Sequence, residues 1–478
     1  MYHISDIKKY LRCGRLYLYS REEDSTYNAY LRSDETQNDL LVRYFRMEDP
    51  FIGIRNDTPD RFEKERELHE WFLRPRFESG SLRFNVPVLH RIGDRYDVYF
   101  VYYNTSVKDL DLLTYRITIR SLKRLGYDIQ AVYLLSFNKD YVYHDHLDVD
   151  QLFVLNDTYK DLPLLDVISK EDFDTEKVLK EMDELKEELP SKKRACRMRN
   201  LCQHYYDCFP EEKDLPDDSI LFLVSSANKQ KMYEKGIVHM KDADISLLEG
   251  NPLQYAQIRA SKNGGLFADR CLLKSYLDTL STRPVSFIDF EWDRYLVPAY
   301  EGMKLMDVVC FEFALYILKE DNTLHKYTFI GTGDCRKEFT EALLEYLPEE
   351  GPILAYNAMG AEVLRLKELS VLYPEYAGRL HQIMERFHDL ADPFTEGMVY
   401  STKQRGDLTL KKLVSIVSDL SYHDLDIDNG MKAVYSWRDI DKGDPPNKEE
   451  VLSNLEEYCS LDAYGLYLVY RWLYKIVS

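Results

Sequence analysis

The stretch STRPVSFIDFEW, residues 281–292, decides how the second half of the chain is read. After Pro284 an apolar strand emerges that carries Asp289 and Glu291 at alternating positions. Residues two apart on a strand point to the same face, so the pair sets two carboxylates side by side next to an apolar core. Like charges held this close repel, and a divalent cation is their usual compensation. A plainer reading also stands at this point, a strand end whose acids face solvent.

Working outward, two further strand candidates follow, DVVCFEFALYIL (307–318) and LHKYTFIG (324–331). An acidic helix comes next, then the strand PILAYN (352–357) leading into a helix from about Gly360, and the rest reads as helices to the C-terminus. Three strands in a meander, a helix, a strand and more helices is the order of an RNase H-like sheet with helices on both faces. The expected class is α/β, with this domain spanning 276–478. In AYNAMGAEVLRL (355–366), Glu362 falls in the first helical turn, close to the sheet edge where Asp289 and Glu291 emerge. An acid there also serves as a helix-dipole partner. Near the C-terminus, Tyr458 and Asp462 in EYCSLDAYGL are spaced i, i+4 and share one helix face, so a carboxylate can hold metal while a phenol reaches the attacking water. The chain has 38 tyrosines, so that spacing alone identifies nothing.

The succession FIDFEW, AYNAMGAE, FHDLADPF and EYCSLDA resembles the DnaQ-like 3′–5′ exonuclease superfamily, of the type whose last motif carries Tyr four residues before Asp. The resemblance covers residues 276–478. It implies four acids holding two divalent metals, Mg2+ or Mn2+, and a tyrosine that orients or deprotonates the water. Carried across, Asp289 and Glu291 match the first motif, and Tyr458 and Asp462 the last. The middle motif departs from the usual Asn-x-x-Phe-Asp, because Asn357 is followed by Ala-Met-Gly-Ala-Glu, which puts Glu362 in place of Asp and one residue later. Asp389 in FHDLADPF is the alternative ligand.

Residues 1 to about 210 read as a second α/β region. RYDVYFVYY (95–103) and QAVYLLSF (130–137) look like buried strands, LTYRITIRSLKRLGY (113–127) has helical spacing, and the charged helix EDFDTEKVLKEMDELKEELP (171–190) stops at Pro190. Residues 211–275 read as short helices forming a connector. Cys196, Cys202 and Cys208 are evenly spaced in CRMRNLCQHYYDCF, and Cys13 ends the amphipathic start SDIKKYLRC. Four thiolates can hold an iron–sulfur cluster or zinc, although the spacing is not Cys-x-x-Cys, and free half-buried thiols are the alternative. SDIKKYLRCGRLYLYS with a late three-cysteine set is similar to RecB-family and CRISPR-associated exonucleases of the PD-(D/E)xK fold, which implies a 4Fe-4S cluster clamped by one early and three late cysteines. The pairing of this domain with a DnaQ-like one resembles a bacterial family, a likeness that spans nearly the whole chain. After Asp97, however, the next stretch carries aromatic residues and no acid, and Lys108 is preceded two residues earlier by Ser106 rather than Glu. The resemblance therefore implies a nuclease-like domain that is catalytically degenerate and retained for binding.

Charge limits the partners. The 478 residues carry 63 basic and 83 acidic side chains, a net charge of −20. A polyanion must then be held by local basic patches or by metal on carboxylates, not by bulk attraction. The candidate patches are KKRACRMR (Lys192, Lys193, Arg194, Arg197, Arg199) and ITIRSLKRLG (Arg120, Lys123, Arg124), for which solvated faces are the alternative. The N-terminus lacks the continuous apolar core of a signal peptide, and no apolar run approaches the roughly 18 residues of a membrane span. Eight mostly isolated cysteines suit a reducing cytoplasm, with Cys310 and Cys459 read as small core residues. The expected function is a two-metal-ion exonuclease hydrolysing DNA or RNA. The reading from another class is a non-catalytic nucleic-acid or protein-binding module built on nuclease folds.

Overall fold

The computed structural model describes residues 1–21, 31–34, 36–54, 57–103, 109–169, 173–185, 196, 202–422, 425–443 and 445–478. Lys108 and the cluster Lys192, Lys193, Arg194, Arg197 and Arg199 lie outside them. The protein is mixed α/β and forms two compact units, Met1–Lys213 with Tyr295–Asp307, and Asp214–Arg294 with Val308–Ser478. Among the described residues no helix is long and apolar enough to cross a membrane.

In the first unit a six-stranded sheet runs in chain order: β1 (Phe51–Ile52), β2 (Trp71–Leu73), β3 (Val88–Ile92), β4 (Arg95–Tyr102), β5 (Asp128–Phe137) and β6 (Phe153–Asn156). β4 and β5 are parallel, and the helix α1 (Asp109–Arg124) between them makes the crossover that parallel pairing requires. β4 is buried at five successive positions, from Tyr96 to Phe100, as a strand covered on both faces must be. Tyr295–Asp307 joins this unit through Leu296 N–H to Arg32 C=O at 2.6 Å and Tyr143 N–H to Met303 C=O at 2.8 Å.

The second unit is built on a five-stranded sheet of β7 (Val285–Arg294), β8 (Val308–Leu318), β9 (Leu324–Ile330), β10 (Ile353–Ala355) and β11 (Phe387–Asp389), in the order β9-β8-β7-β10-β11. The first three are antiparallel, whereas β10 and β11 are parallel to β7, which is central. Alternation along β7 serves both faces. Ile288 and Phe290 pack with Phe339 and Leu343 of the helix α2 (Arg336–Tyr346) and Val363 and Leu366 of α3 (Glu362–Leu372). Phe287 packs with Leu413 of α4 (Leu410–Val417) and with Leu466 and Tyr470 of α6 (Lys448–Val477). Asp289 and Glu291 share the parity of Phe287, so the strand itself aims them at α4 and α6.

The helix α5 (Gly430–Asp441) is pinned to the end of β7 by a buried bidentate pair, Arg438 Nε and Nη2 donating to Asp293 at 2.9 and 2.6 Å. Removing one partner leaves an uncompensated buried charge, so Arg438→Met is expected to cost about 3–5 kcal/mol, read as a lower urea midpoint. Restoration by the double variant Arg438→Met/Asp293→Leu checks the cause.

Some elements differ from the sequence reading. Residues 214–275 belong to the second unit and are not a free connector: Leu266–Ala268 pairs antiparallel with Val399–Ser401, and Leu253, Ala256 and Ala260 pack with Tyr400. Phe387–Asp389 and Val399–Ser401 interrupt the stretch read as helical to the C-terminus, since three-residue strands are too short to carry a period. The charged helix covers Thr175–Asp183, with residues 186–190 outside the described residues.

Candidate metal centre

Ligand oxygens of Asp289, Glu291 and Asp462 all lie within 4.8 Å of one another, the one such group of three or more His, Cys, Asp or Glu among the described residues. Asp462 is buried, while Asp289 and Glu291 keep a half-open edge. The buried stripe of α6, Leu455, Tyr458, Cys459, Asp462, Ala463, Leu466, Val469, Tyr470 and Leu473, follows helical spacing and carries Asp462 onto the acids of β7. A β-bulge between Glu291 and Trp292 interrupts the β7–β8 register at this point, a common device for re-aiming side chains at a site.

Burial, then the charges of Asp462, Glu291 and Glu362, push Asp289 well above the ordinary carboxylate range. Burial and Asp462 push Glu291 up to about 8, against the pull of Lys411. Asp462 is raised by burial and held back by Tyr422, Lys411 and Tyr458. The acids thus destabilise one another in the way a cation would relieve.

Glu362 is the first residue of α3, 2 % exposed, and its Oε2 has no hydrogen-bond partner. Burial raises it to about 8; Asp389 adds to the rise, and the Phe290 N–H opposes it. It stands outside the tight triad but close enough to repel Asp289. Asp389, the alternative ligand, ends β11. Its Oδ1 accepts from Asn357 N–H at 2.8 Å and Ala391 N–H at 2.9 Å. Asn357 has φ 60°, a left-handed conformation that asparagine tolerates, so Asp389 braces the turn that delivers Glu362.

Tyr458 is buried, and its phenol accepts from Lys411 Nζ at 3.0 Å, which also donates to Asp428 C=O at 2.8 Å. The same ammonium sits over the rings of Tyr422 and Tyr458, 4.7 and 4.6 Å from their centroids. Tyr422 donates to Asp462 Oδ1 at 2.7 Å. Burial and Asp462 raise both phenols. A Cβ on Gly465 would meet Val414 at 2.7 Å, so glycine there permits the close approach of α6 and α4 that brings Lys411 to Tyr458. The thiol of Cys459 donates to Asp289 C=O at 3.5 Å and Oδ2 at 3.6 Å, so this cysteine lines the centre rather than only filling the core.

Lys411, Tyr422 and Cys459 were missed by the sequence reading. Lys411 lies in the amphipathic stretch LTLKKLV, where a lysine looks like a solvated face, and no spacing ties it to a residue 47 positions away.

A family model described as a domain of unknown function (DUF2779) matches residues 286–409. The match includes Asp289, Glu291, Glu362 and Asp389 and stops short of Lys411, Tyr458 and Asp462. Comparison with curated proteins and with solved structures gave no match.

In the first unit, Cys13, Cys196, Cys202 and Cys208 line one small cavity with Arg12, Arg15 and His204. All four cysteines stand outside any disulfide and are half-buried, and Arg15 lies against Cys208. No three of their sulfurs come within 4.8 Å of one another. Asp97 is 5 % exposed on β4, across from His90, with Oδ1 lacking a hydrogen-bond partner; burial raises it. Among the described residues no group of three ligands includes it. In the patch on α1, Arg120 donates to Phe173 C=O at 2.6 Å, Arg124 makes an exposed pair with Glu176 at 2.8 Å, and Lys123 is exposed.

Proposed function

We propose that the second unit is a metal-dependent nuclease of RNase H-like, DnaQ-like fold, a 3′–5′ exonuclease that hydrolyses phosphodiesters of DNA or RNA. The observation that carries the reading is the convergence of Asp289, Glu291 and Asp462 within 4.8 Å, with Tyr458 one helical turn from Asp462. An all-oxygen donor set suits hard cations, Mg2+ or Mn2+, and the unpartnered Oε2 of Glu362 fits a fourth ligand. Such ions, when bound, stabilise the attacking and leaving oxygens of the displacement. The chain's own part is to hold them with Asp289, Glu291, Glu362 and Asp462, and to orient the attacking water with the Tyr458 phenol. Lys411 fixes that phenol in place. The 3′–5′ direction rests on the resemblance alone. Incubation of the purified protein with end-labelled DNA and RNA in Mn2+, Mg2+ or chelator tests it. Shortening of a labelled strand that stops in chelator is expected; intact strands under every condition would leave the binding-module reading.

The four cysteines fit a 4Fe-4S cluster better than zinc. Thiolates around tetrahedral zinc stand about 3.8 Å apart, from Zn–S bonds of about 2.3 Å, whereas no three of these sulfurs lie within 4.8 Å of one another. A cluster also suits a reducing cytoplasm, with the first unit, read as a catalytically degenerate PD-(D/E)xK-like domain, serving to bind the nucleic-acid strand. Protein purified without oxygen is expected to carry iron and acid-labile sulfide, both lost in Cys13→Ser. Zinc in their place overturns the assignment.

A further inference from the structure

Glu312 is the one acid in the eleven-residue strand β8, VVCFEFALYIL, and it is 0 % exposed. Neither of its carboxylate oxygens has a hydrogen-bond partner. It lies directly across the strand pair from Glu291, and Ala314, two residues on, lies across from Asp289. Directly opposed residues of an antiparallel pair share a face, so Glu312 points to the same side as the acids of the centre. That side is covered by α6, where Ala314 packs against Cys459 and Ala463. The charged groups facing it are Glu291 on β7, Glu456 on α6 and Lys326 on β9. Lys326 is already engaged with Glu456 at 2.7 Å.

A position of this kind gains nothing structurally from an acid. Buried polar atoms are almost always hydrogen-bonded, and an apolar side chain of similar size would hold the sheet better. Like charges directly opposed on a sheet are themselves destabilising. A carboxylate kept here against both costs is accounted for by a cation placed between it and Glu291.

We propose that Glu312 is a further ligand of the metal centre and that Glu291 and Glu312 together form a second cation position beside the Asp289–Glu291–Asp462 group. The inference rests on the metal-centre reading and adds a ligand from β8 to it. Mn2+ is the expected occupant, because oxygen donors with a neighbouring thiol, that of Cys459, suit a cation softer than Mg2+.

The test pairs Mn2+ titration calorimetry with thermal melting in chelator, on full-length wild type, Glu312→Gln and Glu312→Leu. Both variants are expected to bind Mn2+ about tenfold or more weakly, or to lose one bound ion. Without metal Glu312→Leu is expected to melt a few degrees higher, since a buried unpartnered acid has gone. A structural role alone would give the higher melting temperature with an unchanged Mn2+ isotherm, and that result overturns the inference while leaving the centre intact. Wild-type protein that binds no Mn2+ would overturn the metal centre itself, and the inference with it.

Discussion

Asp289→Ala is expected to lower metal-dependent strand shortening by about 10³-fold or more, with Asp462→Ala equally severe. Each removes a ligand whose charge places the ions that stabilise the reacting oxygens, an effect of several kcal/mol at the barrier. No neighbour can substitute, because Glu291 and Glu362 are themselves already assigned as ligands of the centre. Misfolding does not explain the Asp289→Ala loss, since that variant removes one of several mutually repelling acids and is expected to melt no lower in chelator than wild type. Tyr458→Phe keeps the ring under Lys411 but loses the hydroxyl, so a loss of about 10²-fold is expected, the scale of one positioned proton-handling group. Asp97→Ala is expected to leave the rate within about twofold, because among the described residues no group of three ligands includes it. Activity that survives Asp289→Ala and disappears with Asp97→Ala would transfer the chemistry to the first unit.

What was legible in the sequence, and what was not, follows from distance along the chain. Asp289 and Glu291 were readable because a period of two inside an apolar strand fixes the face they share. Tyr458 and Asp462 were readable by the i, i+4 rule, and Glu362 from its place just after a strand. In each case the geometry is set within one element. Lys411 and Tyr422 reach the centre from a helix and a loop whose placement depends on packing, including the close approach at Gly465, and nothing local announces that. Asp389 was expected as an alternative ligand; its two backbone hydrogen bonds belong to the turn conformation of Asn357, which a sequence motif does not display. Glu312 did have a signal, an acid within an otherwise apolar strand. Its meaning needed the register that sets it across from Glu291. The connector dissolved into the second unit because a three-residue strand and a short helix carry too little pattern to announce their partners.

In chelator the protein is expected to lose stability as pH rises from about 5 to about 8.5, and Mn2+ is expected to abolish that loss. Glu291 and Glu362 are both pushed up to about 8 in the folded protein. In the unfolded chain such groups titrate near 4.3. Between those values the folded state keeps protons the unfolded state has shed, so the stability present at low pH is lost as pH rises through the window and is gone above about 8. For Glu362, which is almost fully buried, the difference is on the order of a few kcal/mol, or several degrees of melting temperature. Glu291 is partly open to solvent, so its share is smaller. A divalent ion takes the place of the protons, and protons compete with it, so the rise in melting temperature on adding Mn2+ should be larger at pH 8 than at pH 6. The opposite slope separates this from an ordinary structural network. Carboxylates paired with lysine or arginine sit below their usual range and would make the chelated protein more stable as pH rises. Melting curves in chelator and in Mn2+ across this range decide between the two, and a flat or rising profile without metal would remove the electrostatic case for a cation at Asp289, Glu291 and Asp462.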